Sequence, residues 1–144
     1  MASEILKPVV ILAAWSMIMW LWMYVTRIPA LMKSPNYDAN TSVGSVGADL
    51  RSFLPAHVQW KADNYNHLME QPTVFYAVAI ALAMMGAGNG FNATLAWAYV
   101  AFRIIHSLLQ VTINRVIVRF ALHAIGTIPL LMLAAHAVIA AFNG

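Results

Sequence analysis

The sequence contains no cysteine. Disulfides, thiolate nucleophiles and zinc–thiolate sites of its own are therefore excluded. Charge is nearly as scarce: 9% of the 144 residues are charged and 62% are apolar. A soluble domain carries roughly 25% charged residues, so this chain could not clothe a water-facing surface. The net charge of +3 is small, and no Lys/Arg cluster of the kind that grips nucleic acid occurs. There is no His-Glu-x-x-His, no Gly-rich phosphate loop and no Ser/His/Asp arrangement. The length suits one domain, 1–144.

Long apolar runs fill the space that charge leaves. The first, 9–26, holds 18 residues, three of them Trp. A signal-peptide core is usually about 7–15 residues ahead of a small-residue cleavage site. This run is longer and ends at Arg27 without such a site, so it reads as a retained transmembrane helix. Four spans are predicted: 5–32, 56–85, 91–114 and 116–142. The second has only the stretch 73–85 as a continuous apolar run, short of the ~20 residues that cross a bilayer. Its polar half, 59–71, must enter the membrane too, with Pro72 kinking it. The 33–55 connection is rich in Pro, Gly, Asn, Asp and Ser and reads as a loop, with "VGADLRSFL" able to form a short surface helix. "GAGNG" and "NRV" are short links, which make antiparallel neighbours. The predicted fold is all-α, an integral membrane up-down four-helix bundle. Arg27, Lys33, Arg51, Arg115 and Arg119 flank the long loop and the third link, which puts both on the cytoplasmic side. Asn40-Thr41-Ser42 and Asn92-Ala93-Thr94 match a glycosylation pattern in a chain that nothing else marks as secreted.

The polar residues form rows. At ~100° per residue, Gln59, Asp63, Asn66, His67 and Glu70 fall within an arc of about 100°, with Lys61 opposite and able to snorkel outward. Tyr99, Arg103, His106, Ser107, Gln110 and Asn114 share one face of span three. Arg115, Arg119 and His123 align at the start of span four. A central charge facing lipid costs at least ~2.5–3.5 kcal/mol, so the rows turn inward or between subunits. Glu70 and Arg103 are the expected ion pair. Asn66, Ser107 and Gln110 read equally well as interhelical glue. Asp63 and Glu70 cannot neutralise Arg103, Arg115 and Arg119 together, and a cation surplus in a cleft asks for an anion. Headgroup anchoring is the alternative for Arg115 and Arg119. His136 reads as a packed or carbonyl-bonded histidine, and His57 and the Trp residues as interface or packing groups. No metal is expected, although His67, His106 and His123 leave one geometrically open.

"NYNHLMEQPTVFY" followed by "AWAYVAFRIIHSLLQVTINRVIVRF" resembles the bacterial branch of the MAPEG family, the membrane-associated proteins in eicosanoid and glutathione metabolism. The resemblance is close over 57–127 and looser over the four-span plan. It implies a homotrimer with glutathione, as co-substrate, in a cleft between subunits that opens to the cytoplasm. By position, Glu70 resembles the family's helix-two Glu, and Asn66 or His67 stands in place of its Asn. Arg103 and His106 resemble its helix-three Arg and His, and Arg119 the Arg that stabilises the glutathione thiolate. Gln110, Arg115 and His123 complete the implied binding set. Three positions depart from the pattern. Asp63 stands where eukaryotic enzymes carry a further Arg, Gln110 replaces a Tyr, and Phe120 replaces a Ser of prostaglandin E synthase, which argues against isomerase chemistry. The implied activity is a glutathione-dependent transferase or peroxidase acting on lipophilic electrophiles, among membrane lipids and without nucleic acid, in the bacterial inner membrane. The alternative is a non-catalytic lipid-binding or scaffold protein of the same fold. A small channel or proton-coupled carrier is a weaker third reading, because the sequence suggests neither a discontinuous helix nor an internal repeat.

Overall fold

A computed structural model describes residues 2–143. Five helices follow in order: α1 Leu6–Met32, α2 Ala56–Leu68, α3 Gln71–Met84, α4 Phe91–Thr112 and α5 Val116–Asn143. No strand occurs among the described residues. Helices α1, α4 and α5 are each long and apolar enough to cross a membrane. The 22 residues of α4, the shortest of the three, reach about 33 Å, against a hydrocarbon core of ~30 Å.

Helices α2 and α3 have 13 and 14 residues and cannot span alone. Together they occupy the stretch that the sequence predicts as the second span. The continuous helix expected over 56–85 is thus interrupted, and the interruption lies before Pro72 rather than at it. Pro72 has no N–H for the Leu68 carbonyl, and its ring crowds that oxygen. The chain answers by leaving the helix at Met69 and Glu70. Glu70 has φ −87° and ψ −101°, outside the helical region. Helix α3 then restarts with Pro72 in its first turn, where a missing N–H costs nothing.

Helix α4 is central: it packs along α5 and also meets α1 and α2, while α3 lies against α5 and α1. The core joins Leu12 and Met19 of α1, Leu68, Phe75 and Leu82 of the second span, Tyr99 of α4 and Leu133 of α5. The Phe75 and Tyr99 rings stack with centroids 4.6 Å apart. Close approach of α4 and α5 depends on Gly126, where a Cβ would fall 2.8 Å from the Cβ of Phe102. At the outer side of α5, Ile117, Phe120, Ile128, Leu131 and Phe142 are exposed, as a lipid-facing surface requires.

The two ends of the bundle are fastened differently. At one, the Ile5 N–H donates to the Gly88 carbonyl at 2.9 Å, and the Glu4 N–H to Asn89 Oδ1 at 2.8 Å. There α3 stops at Gly86, whose φ of 73° suits a residue without Cβ. At the other, the 33–55 loop holds a single 3-10 turn, Asp49–Ser52, within the stretch read as a short surface helix. The loop is tied down by Arg27, which donates to the Gly47 carbonyl. It is also tied by Arg51, paired with both oxygens of Asp63 at 3.0 Å.

Candidate functional site

The centre of the polar interior is Arg103 of α4, only 2% exposed. The helix break explains its position. Interrupting α2 leaves the His67 carbonyl with only a long bond from the Glu70 N–H, 3.4 Å. Arg103 Nη2 donates to that carbonyl at 2.9 Å. Helix C-termini present unpaired carbonyls and a partial negative charge, so the guanidinium acts as a side-chain cap for α2. Its Nη1 donates to His123 Nδ1 at 3.1 Å and, more weakly, to His67 Nε2 at 3.4 Å.

The Glu70–Arg103 ion pair expected from the sequence is not formed. No carboxylate oxygen among the described residues lies within 4.0 Å of Arg103. The Glu70 carboxylate instead accepts from His67 Nδ1 at 2.9 Å, with a side chain 66% exposed. A guanidinium can only donate, so the His67 Nε2 and His123 Nδ1 lone pairs must face it, and His67 carries its proton toward Glu70. The His106 ring completes a cluster. Its centroid lies 4.9 Å from that of His67 and 6.0 Å from that of His123, and His67 and His123 are 5.2 Å apart. With Arg103 reaching both His67 and His123, no group of His, Asp and Glu among the described residues is arranged to hold a metal ion.

The remaining polar residues divide into separate neighbourhoods. Asp63 lies at the loop end with Arg51, and Gln59 Nε2 donates to it at 3.1 Å. Asp63 and Gln59 are thus apart from the His67–Glu70 group, although one helix face carries them all. Lys61 does not point outward: it is 8% exposed. Its Nζ donates back to the His57 carbonyl at 2.8 Å and lies 5.4 Å from the Trp22 ring centroid. Gln110 is buried, and its Oε1 has no partner. Asn66 and Arg115 are exposed, and Arg119 is half-buried with its Nε unpaired. His136 donates to Asn92 Oδ1 at 2.6 Å, a side-chain carbonyl. The Asn92 amide in turn donates to the Ala87 carbonyl, so this part of the glycosylation pattern is engaged inside the bundle.

Two groups were not legible as site residues. Asn64, beside Asp63 but off the polar row, donates to Ser107 Oγ at 2.8 Å, and Trp15 Nε1 donates to the same oxygen at 3.0 Å. This joins α1, α2 and α4. Gln71 accepts from Tyr99 OH at 3.3 Å and donates to Thr127 Oγ1 at 2.9 Å, joining α3, α4 and α5. The cue available was that intramembrane Asn and Gln need partners; the partners themselves follow from packing.

Helices that cross a bilayer around an Arg- and His-lined interior define an integral membrane protein with a built polar centre. The MAPEG family model matches residues 5–139, which includes every residue of that centre. The chain belongs to the MAPEG family. Comparison with curated proteins and with solved structures finds no match.

Proposed function

We propose that the protein is a glutathione-dependent transferase or peroxidase acting on lipophilic electrophiles. The site is a cleft between copies of a homotrimer, open to the cytoplasmic side of a bacterial inner membrane. The observation that carries this reading is an excess of positive charge. Both acids of the second span are engaged, Asp63 by Arg51 and Glu70 by His67. Among the described residues, Arg103, Arg115 and Arg119 have no carboxylate within 4.0 Å. A tripeptide with two carboxylates and a thiol answers that charge. Arg119 holds the thiolate, because a neighbouring cation in a low-dielectric cleft favours the ionised thiol. Asn66, His67, Glu70, His106, Gln110, Arg115 and His123 contact the peptide, and Arg103 holds His67 and His123 in place. The thiolate attacks an electrophilic carbon, forming the C–S bond of a thioether as the bond to the leaving group breaks and that group departs as an anion, halide for an aryl halide. Alternatively, two glutathiones reduce a lipid hydroperoxide to the alcohol and water, leaving glutathione disulfide.

Stopped-flow absorbance of glutathione thiolate on the purified protein is the test. The native chain should give a thiolate signal and conjugate a generic aryl halide, and Arg119→Ala should lose both. A native chain with neither refutes the proposal. Asp63 and Gln110 favour a second reading, a non-catalytic lipid-binding protein. The turn where related enzymes carry an extra Arg is here an acid neutralised by Arg51, and the Gln110 amide oxygen is unpaired. Such a protein would be indifferent to glutathione and would co-purify with lipid.

A further inference from the structure

The break in the second span is gripped from both sides. On the α2 side, Arg103 donates to the His67 carbonyl. On the α3 side the grip is Gln71, the first residue of that helix, whose amide reaches both α4 and α5. The group beyond it fixes its orientation. Thr127 Oγ1 lies 2.7 Å from the His123 carbonyl. A carbonyl only accepts, so the one hydroxyl proton of Thr127 is committed there. Toward Gln71 the Thr127 oxygen can then only accept, and Nε2 meets it at 2.9 Å. Oε1 is left for Tyr99, whose phenol donates to it at 3.3 Å. Every donor in the row points the same way, from α4 through α3 to α5.

The row ends on the carbonyl of His123, the residue whose Nδ1 accepts from Arg103. Arg103 and Gln71 thus tie the two flanks of the break to one residue of α5. Between the flanks stands Glu70, outside the helical region. Its carbonyl accepts from the Thr73 N–H at 3.1 Å and from the Thr73 hydroxyl at 2.6 Å. Glu70 therefore moves with the start of α3, and Gln71 is the polar group that fastens that start to α4 and α5.

We propose that Gln71 is a positioning residue: it holds Glu70 against the His67–Arg103–His123 cluster and thereby sets affinity for the peptide. This rests on the glutathione reading, in which Glu70, His67 and His123 contact the ligand. Arg119 makes none of the side-chain bonds of the row, so ionisation of the bound thiol is independent of the clamp. Loss of a contact that serves ground and transition states alike raises KM and leaves kcat unchanged.

Three variants of the full chain in micelles test the inference. Gln71→Met keeps the side-chain length and removes both bonds. Thr127→Val removes the acceptor on α5, and Thr127→Ser retains it. Gln71→Met and Thr127→Val should each raise KM for glutathione about tenfold. Their kcat should stay within about twofold of native, with the pH dependence of thiolate absorbance at saturation unchanged. Thr127→Ser should keep the native KM. Hydrogen exchange at the Met69, Glu70 and Thr73 amides should quicken about tenfold in the first two variants and not in the third. Native exchange at those amides in Gln71→Met, or a native KM in that variant, overturns the inference. So does a Thr127→Ser variant as impaired as Thr127→Val, a comparison that stands even where Gln71→Met fails to fold. A native chain that forms no thiolate sinks the transferase reading alone, and the exchange comparison then decides the clamp by itself.

Discussion

Arg103 and Glu70 illustrate what single residues disclose. That Arg103 points inward was readable, since a lipid-facing charge is too costly; Glu70 was expected beside it, but its side chain is 66% exposed. Their partners were not readable. Helical angle places Asp63, His67 and Glu70 on one face, but Asp63 and Glu70 are seven residues apart, about 10 Å along the axis. They meet different neighbours: Arg51 of the loop for one, His67 for the other. The consequence is measurable. In a simple ion pair, removal of either partner costs a comparable amount. Here Arg103 supports a buried carbonyl and two imidazole nitrogens, whereas Glu70 makes one exposed contact. Arg103→Met should therefore lower stability in micelles by at least about 2 kcal/mol, since each buried acceptor left unpaired costs ~1–3 kcal/mol. Glu70→Gln should cost less than about 1 kcal/mol. Denaturant titration of both variants decides; equal losses would restore the ion pair.

At the scale of elements, the three long apolar spans were legible from run length alone, and the second span's polar half marked it as different. The exact break was not legible. Proline announces a fault within the preceding turn, but whether the helix bends or stops depends on what receives the freed carbonyl. Here the stop also frees the neighbouring His67 carbonyl, and a guanidinium from α4 receives that one. Pro72→Ala restores an N–H for the Leu68 carbonyl and removes the ring clash. It should let α2 and α3 merge, slowing hydrogen exchange at the 69–71 amides by about tenfold or more, since a continuous helix would protect them by upward of 1.4 kcal/mol. Unchanged exchange would mean that Arg103, and not proline, maintains the break. A merged helix would also withdraw the His67 carbonyl from Arg103 and turn Glu70 away, so thiolate formation should fall together with the break.

For the whole molecule, the up-down order followed from short links, and the contact of Ile5 with Gly88 bears it out at one end. The assembly and the direction of insertion lie outside what one chain contains. The lack of cysteine makes direction simple to test, because an introduced thiol has no background. Ser42→Cys, in the long loop, and Asn143→Cys, at the end of α5, should react with a membrane-impermeant maleimide from opposite sides of sealed vesicles. The Arg-rich end predicts that the Ser42→Cys thiol should react from the cytoplasmic side. Labelling of both from one side would refute the antiparallel arrangement in the membrane.

The unlike fastenings of the two ends carry a practical consequence. Arg51, whose side chain is 67% exposed, holds the loop through a charge pair, and at 1 M salt such attractions are screened beyond ~3 Å. The opposite end is held by the neutral Ile5–Gly88 and Glu4–Asn89 bonds, with one long bond from the Gly90 N–H to the Glu4 carboxylate at 3.3 Å, and is less sensitive to electrolyte. Raising ionic strength should therefore loosen the 33–55 loop while the bundle stays intact, so a high-salt wash would open that loop to protease in a protein that still looks fully folded.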